Sequence, residues 1–288
     1  MRAMRFRRTP AVIALTALSG LALVVAGSTP AVARPTRFRL GLTGDTGYSK
    51  ADDELLLALR RSMAASGLAF EAHDGDIQLS GSRCTDARLQ YVHDVFAGFA
   101  APLVYTPGDN EWFDCPDRAA RLAAIRRIFF STGKPLGQRT MPVAHQPGTP
   151  ENLRWSRGGV VFATFDVPGP AGGGSPAAAD LDWLHSTFDG AEAAGAAGVM
   201  IIWQDDPFLY GADQTLLTAL RKRTIRFGKP VVLVHGDTHR HRVDKPWKDV
   251  PYFTRVETFA GDQSNRWVLA TVDPATPAVF SFSVVTAR

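Results

Sequence analysis

Four glycine–aspartate pairs, each set where an apolar run stops, constrain this chain more than any other feature. Phe38, Leu40 and Leu42 alternate into Gly44-Asp45, and Leu68-Ala69-Phe70 leads into Gly75-Asp76. Pro102-Leu103-Val104-Tyr105 leads into Gly108-Asp109, and the buried-strand run Val231 to Val234 ends at His235-Gly236-Asp237. One such pair is an ordinary turn, its aspartate bonding a nearby amide. Four at strand ends mean more, because side chains at the carboxyl ends of strands in an open α/β sheet collect around one crevice. Four ionised carboxylates in a small volume repel one another and resist desolvation unless protonation or cations relieve them. Divalent ions are the simplest relief. His239 on the last loop adds an imidazole of the kind that binds first-row metals.

Between these strands lie helical patterns. Leu55, Leu56, Leu59 and Met63 mark one face, Leu89, Val92, Phe96 and Phe99 a second, and Leu122, Ile125 and Phe129 a third. After residue 150 the pattern changes to a hairpin, Asn152 to Ser156 and Val160 to Phe165 around Arg157-Gly158-Gly159. Helices at about 180–194 and 213–227 alternate with buried strands at 199–203 and 231–234, and three strand-like runs close the chain. Alternation followed by hairpins predicts an α/β fold of two mixed β-sheets packed face to face with helices outside, in one domain over 37–288.

The formal charge of +4 misleads until it is located. Residues 1–33 carry Arg2, Arg5, Arg7 and Arg8 and no acid, so the remaining 255 residues are formally neutral. That balance argues against a general nucleic-acid or membrane-surface role. The basic start, the apolar run Ala11 to Ala26 and Ala31-Val32-Ala33 read as a signal peptide cleaved near Ala33. The run is short of the ~20 residues that span a bilayer, so no stable membrane anchor is expected and the product is secreted or periplasmic. In an oxidising compartment the two cysteines, Cys84 and Cys115, are most simply a disulfide, a nucleophilic thiol or metal thiolate being the competing readings.

Taken in order, the motifs resemble those of the calcineurin-like metallophosphoesterases, including their purple acid phosphatase branch. Those proteins present D-x-H or G-D-x-G, then G-D-x-x, then G-N-H-E/D, a histidine after a buried strand, and G-H-x-H. Here the series reads Gly44-Asp45-Thr46-Gly47, Gly75-Asp76-Ile77-Gln78, Gly108-Asp109-Asn110-Glu111, Trp203-Gln204-Asp205-Asp206-Pro207 and Gly236-Asp237-Thr238-His239. The resemblance spans about 38–285 and implies a four-layer sandwich with two divalent ions and a small phosphorylated substrate, while the neutral charge balance leaves no nucleic-acid partner expected. It places Asp45 and His239 on one ion, Asp76 as the bridge, and Asp109, Asp237 and either Gln204 or Asp205 on the other. Asn110 becomes the group that meets a phosphoryl oxygen, with Glu111 and His235 behind the ligands.

Several positions depart from the family. Asp109 replaces an asparagine, while Asn110, Asp237 and the fourth-motif residue replace histidines; Leu79 stands where the purple enzymes have tyrosine. Oxygen donors replace nitrogen, which favours Mn²⁺, Mg²⁺ or Ca²⁺ over Zn²⁺. Losing the imidazole at Asn110 removes a general-acid candidate, typically a ~10²–10⁴-fold contribution. The expected function is a secreted metal-dependent phosphoesterase acting on a mono- or diester. The alternative is a non-catalytic extracellular binding protein on the same fold. A serine hydrolase lacks its G-x-S-x-G elbow. Arg139, Arg154 and Arg157 are noted as cations that could meet an anionic substrate, surface solvation being the commoner role.

Overall fold

The computed structural model describes residues 36–167, 178–209 and 214–288; the expected leader at 1–33 and residues 168–177 and 210–213 lie outside them. The alternating run at the start of the described chain forms strand β1 (Phe38–Thr43), followed by helix α1 (Asp53–Ala64), β2 (Phe70–His73), α2 (Asp86–Ala97) and β3 (Leu103–Tyr105). A four-residue helix α3 (Asp109–Trp112) and α4 (Arg118–Phe129) follow, then β4 (Ala144–Gln146) and the hairpin β5 (Thr149–Arg157) and β6 (Val160–Thr164). The rest is α5 (Ala178–Ala193), β7 (Gly198–Ile202), α6 (Thr215–Phe227), β8 (Val231–His235), β9 (Arg242–Asp244), β10 (Phe253–Glu257), β11 (Arg266–Asp273) and β12 (Val279–Thr286).

The strands make two mixed sheets, in the orders β12-β11-β1-β2-β3 and β4-β5-β6-β7-β8-β10-β9. In the first, β1, β2 and β3 run parallel while β11 and β12 are antiparallel; in the second, β6, β7, β8 and β10 run parallel. Period-2 side-chain alternation then explains the continuous apolar runs. In β6, β7 and β8, Phe162, Met200, Ile202, Val232 and Val234 join Leu40, Phe70 and Trp267 in one core. Their neighbours Val161, Ala163, Ile201 and Leu233 join Trp183, Leu184, Phe188 and Leu220 of α5 and α6 in the other. Across the inter-sheet core, Phe70 meets Phe162 edge-on at 5.1 Å and Trp155 at 5.3 Å between ring centroids. The expected face-to-face sandwich with outer helices is the observed one.

Local signals set the element ends. The Thr85 hydroxyl accepts from the Arg88 amide at the start of α2, and the Asp117 carboxylate accepts from the Ala120 amide at the start of α4. Gly228 closes α6 in the left-handed region. Cys84 and Cys115 are joined in a disulfide, tying the loop before α2 to the turn between α3 and α4. Among the described residues no helix is long and apolar enough to cross a membrane.

Candidate metal centre

Parallel β1, β2 and β3 deliver Asp45, Asp76 and Asp109 to one end of their sheet, and β8 delivers Asp237 from the second sheet to the same place. The Asp237 amide donates to both Asp45 oxygens, at 3.3 and 3.2 Å. Asp76 is surrounded by negative charge. Its carboxyl is pushed well above the usual range first by burial, then by Glu111, Asp45, Asp109 and Asp237. Burial, with Asp109 and Asp45 next, raises Asp237 to about 7. Asp109 is raised by burial and by Asp114. The four strand-end aspartates thus lie within electrostatic reach of one another.

Close approach demands bare backbone here. A Cβ on Gly236 would stand 2.0 Å from Asp45 Oδ2, and one on Gly75, at φ +110°, would stand 2.5 Å from the Gly108 nitrogen. The backbone itself is bent to the purpose. Among the described residues five non-glycine positions have positive φ, and four of them are Asp45, Asp76, Asp237 and His239. Left-handed backbone of this kind is costly and clusters at functional sites.

The other expected residues fall into place around this cluster. Of the two fourth-motif candidates, Gln204 donates through Nε2 to Asp76 Oδ2 at 3.0 Å. Asp205 is buried beside it, and its backbone oxygen accepts from the Trp203 indole. Asn110 donates to Asp76 through its amide nitrogen at 3.4 Å and its side chain at 2.9 Å. Glu111 lies behind Asp76, its Oε1 accepting from the Ile77 amide and the Tyr105 hydroxyl. His239 Nε2 is 3.5 Å from Asp45 Oδ1, and hydrogen bonding to Asp45 raises its pKa. His235, by contrast, turns from the four aspartates: its Nε2 lies 3.8 Å from Asp206 Oδ1, and its Nδ1 bonds the Gly236 oxygen.

Two neighbours escape a motif reading. Tyr48 places its hydroxyl 3.1 Å from Asp45 Oδ1 and 2.8 Å from His239 Nε2. Burial and the Asp45 charge push that phenol far above its ordinary range, so it stays protonated. Asp74, buried behind Asp45, accepts from the Thr258 hydroxyl at 3.0 Å. The sequence held both signals, Gly47-Tyr48 directly after the first motif and the acidic repeat Asp74-Gly75-Asp76, but no pattern gave them weight. Leu79 is 54% exposed and takes no part. His73 is a core residue: burial lowers it to about 3, Nδ1 accepts from the Gly75 amide, and Nε2 meets the Thr46 hydroxyl at 2.8 Å.

Among the described residues none of the four aspartates pairs with a lysine or arginine, which leaves His239 beside Asp45 to offset an otherwise uncompensated acidic cluster. Gln204 Oε1 and Glu111 Oε2 are buried beside it with no hydrogen-bond partner. Orphaned acceptors around uncompensated carboxylates fit oxygen-loving divalent ions. A second acidic group is different. Asp206, His235 and Glu257 bring their ligand atoms within 4.8 Å of one another, yet Arg242 lies 2.5 Å from Glu257 and 3.4 Å from Asp206. Arg255 also reaches to 4.0 Å of Asp206, so these charges are already balanced by protein. Glu257 accepts from the Arg240 amide at 2.9 Å and from the Thr238 hydroxyl, fastening the loop that carries Asp237 and His239.

Comparison with solved structures agrees with this architecture. A dimetal phosphatase from Danio rerio superposes with a TM-score of 0.58 at 12% identity, covering 87% of this chain and 99% of that one. The chain shares the fold of this dimetal phosphatase. A purple acid phosphatase, PPD1 of yellow lupin (Lupinus luteus) seeds, matches with a TM-score of 0.53 at 9% identity, over 87% of this chain and 54% of its own. The protein TT1561 of Thermus thermophilus matches at 0.52 and 9%, over 88% and 100% of the two chains. No family model matches the sequence, and no curated protein matches it. Fold similarity at such identities carries architecture, and chemistry must come from the side chains.

Proposed function

We propose that this chain is an exported metal-dependent phosphoesterase that hydrolyses a phosphate mono- or diester. The observation that carries the reading is the convergence of buried Asp45, Asp76 and Asp109 with half-buried Asp237, unmatched by any lysine or arginine among the described residues. Asp45 and His239 would hold one divalent ion, Asp109, Asp237 and Gln204 the other, and Asp76 would bridge them. Such ions supply charge neutralisation at phosphorus and lower the pKa of a water nucleophile. The oxygen-rich donor set favours Mn²⁺, Mg²⁺ or Ca²⁺ over Zn²⁺.

The chain's own groups do the positioning. Asn110 and Gln204 hold Asp76 by three donated hydrogen bonds. The Tyr48 hydroxyl steadies Asp45 and His239 together. Asn110 offers an amide donor to a phosphoryl oxygen but no proton to a leaving group, so esters with good leaving groups react fastest. The Cys84–Cys115 disulfide and the leader at 1–33 support an oxidising destination outside the cytoplasm. Residues 37–288 form the working domain, and a neutral charge balance supports a small substrate over nucleic acid.

The test is to strip the purified chain of metal and titrate it with Mn²⁺, Mg²⁺, Ca²⁺ and Zn²⁺. Aryl phosphate mono- and diesters are assayed at each point. Turnover that needs a divalent ion and disappears in Asp76→Asn supports the enzyme. Tight metal binding with no turnover on any ester would instead favour the binding-protein reading, to which the missing imidazole at Asn110 already points.

A further inference from the structure

The neutral charge balance beyond residue 33 conceals a local excess. At the opposite end of β1 from Asp45, Arg37, Arg39, Arg139 and Arg157 all line one concavity of about 570 Å³. All four are exposed, and among the described residues none of them is ion-paired with a carboxylate. Asp273 is the nearest acid by register, since the β1–β11 pairing of Phe38 with Val272 sets it opposite Arg37. It is not ion-paired to Arg37, and its Oδ1 accepts from the Ala275 amide. Glu71 lies buried near Arg139 with both oxygens unpartnered. Burial raises it to about 8 against the pull of Arg139, so it is protonated at neutral pH and does not cancel the charge.

Three of the four guanidinium groups are held in place before anything binds. Arg139 donates to the Ala100 and Leu68 carbonyl oxygens at 2.9 and 2.8 Å. Arg39 donates to the Ser66 oxygen at 2.6 Å, and Arg157 lies over the Phe38 ring at 5.5 Å. Like charges gathered without counterions repel, and pre-ordered guanidinium forks are suited to bidentate recognition of phosphate. The volume lies within the range of small-ligand sites.

We propose that this arginine pocket binds a polyvalent phosphate-bearing anion, separately from the metal centre. Arg39 and Arg139 supply donors tethered to backbone oxygens, and Arg37 and Arg157 add two further cations. The inference does not depend on phosphoesterase activity and is tested on metal-free protein with chelator present.

The experiment has two arms, each run at 0.15 M salt on the full chain, on Arg37→Ala/Arg157→Ala and on Asp76→Asn. Calorimetry with inorganic pyrophosphate probes a free anion, and co-sedimentation with phosphatidylglycerol vesicles, against phosphatidylcholine vesicles, probes a lipid headgroup. The double-arginine variant removes neither of the guanidinium groups bonded to backbone, so its fold is expected to survive, checked by its thermal midpoint. Saturable binding in either arm, weakened at least tenfold by the arginine changes and untouched by Asp76→Asn, supports the pocket and names the source of its phosphate. Absence of binding in both arms overturns it. So does binding that ignores the arginine changes or is lost with Asp76→Asn.

Discussion

Asp237 is where the local physics is most visible. It occupies left-handed backbone at φ 76°, donates its amide to Asp45, and keeps its carboxyl proton to about pH 7 because burial, Asp109 and Asp45 all oppose its charge. A residue so placed works against the metal-free fold and for the metal-bound one. Asp237→Asn is therefore expected to stabilise the metal-free protein at pH 8 by roughly 1–3 kcal/mol while weakening Mn²⁺ binding at least tenfold. Urea denaturation with chelator, paired with Mn²⁺ calorimetry, measures both, and a variant destabilised without metal would refute the account. Gly75 carries the opposite lesson. Alanine there meets both a forbidden φ of +110° and the Gly108 backbone, which cannot swing aside as a side chain can. Gly75→Ala should cost about 2–4 kcal/mol and abolish metal binding, seen as a lowered urea midpoint at unchanged slope.

Elements carry these residues to one place, and two fastenings hold the elements. The disulfide closes a loop with a sequence separation of 31 residues between Cys84 and Cys115, beside Gln78, whose side chain donates to the Asn110 oxygen at 2.7 Å. In the chain-entropy picture its loss costs roughly 3–4 kcal/mol. Cys84→Ser/Cys115→Ser should show that loss in denaturant while the Asp237 side of the centre keeps its affinity. Glu257, at the end of β10, fastens Thr238, Arg240 and Arg242. Glu257→Gln should weaken Mn²⁺ binding while sparing the overall secondary structure, read by circular dichroism, because it frees the loop and leaves the sheets. Much of this was legible in the sequence. Apolar runs ending in Gly-Asp gave the strands and the convergence, since both follow from period-2 burial and parallel topology. The short pieces were not. β4 and β9 have three residues each and α3 four, too few for any periodicity. Tyr48 and Asp74 were missed because their roles come from Asp45 meeting them in space. The position of Arg157, at the end of β5, depends on strand direction in the second sheet, and Arg139 lies in the connection between α4 and β4, where no periodicity speaks.

The molecule as a whole behaves as a proton store that cations can empty. Asp237 and Glu111 are raised to about 7 and Glu71 to about 8, each chiefly by burial. In the unfolded chain the same groups lose their protons near pH 4. Between about pH 5 and 8 the fold therefore binds more protons than the unfolded chain, and stability must fall as pH rises through that window. His73, lowered to about 3 by burial, acts in the other direction, but only below its unfolded value near 6.5. From pH 6.5 to 8.5 the raised carboxyls and His239, raised by its bond to Asp45, all act in one direction, each contributing a slope of at most ~1.4 kcal/mol per pH unit. Metal-free protein is expected to lose several degrees of thermal midpoint over this range, at about 2–4 °C per kcal/mol for a chain of this size. Divalent ions take the place of the protons at the centre, so Mn²⁺ should raise the midpoint more at pH 8.5 than at pH 6.5. Glu71 lies by the arginine pocket, away from the centre, and Glu71→Gln should flatten part of the metal-free slope without changing the Mn²⁺ response. Scanning calorimetry of both proteins at the two pH values, with chelator and with Mn²⁺, separates the contributions. A metal-free midpoint that does not fall with pH, or an Mn²⁺ shift larger at pH 6.5, would mean that these carboxyls carry no suppressed charge for a cation to release.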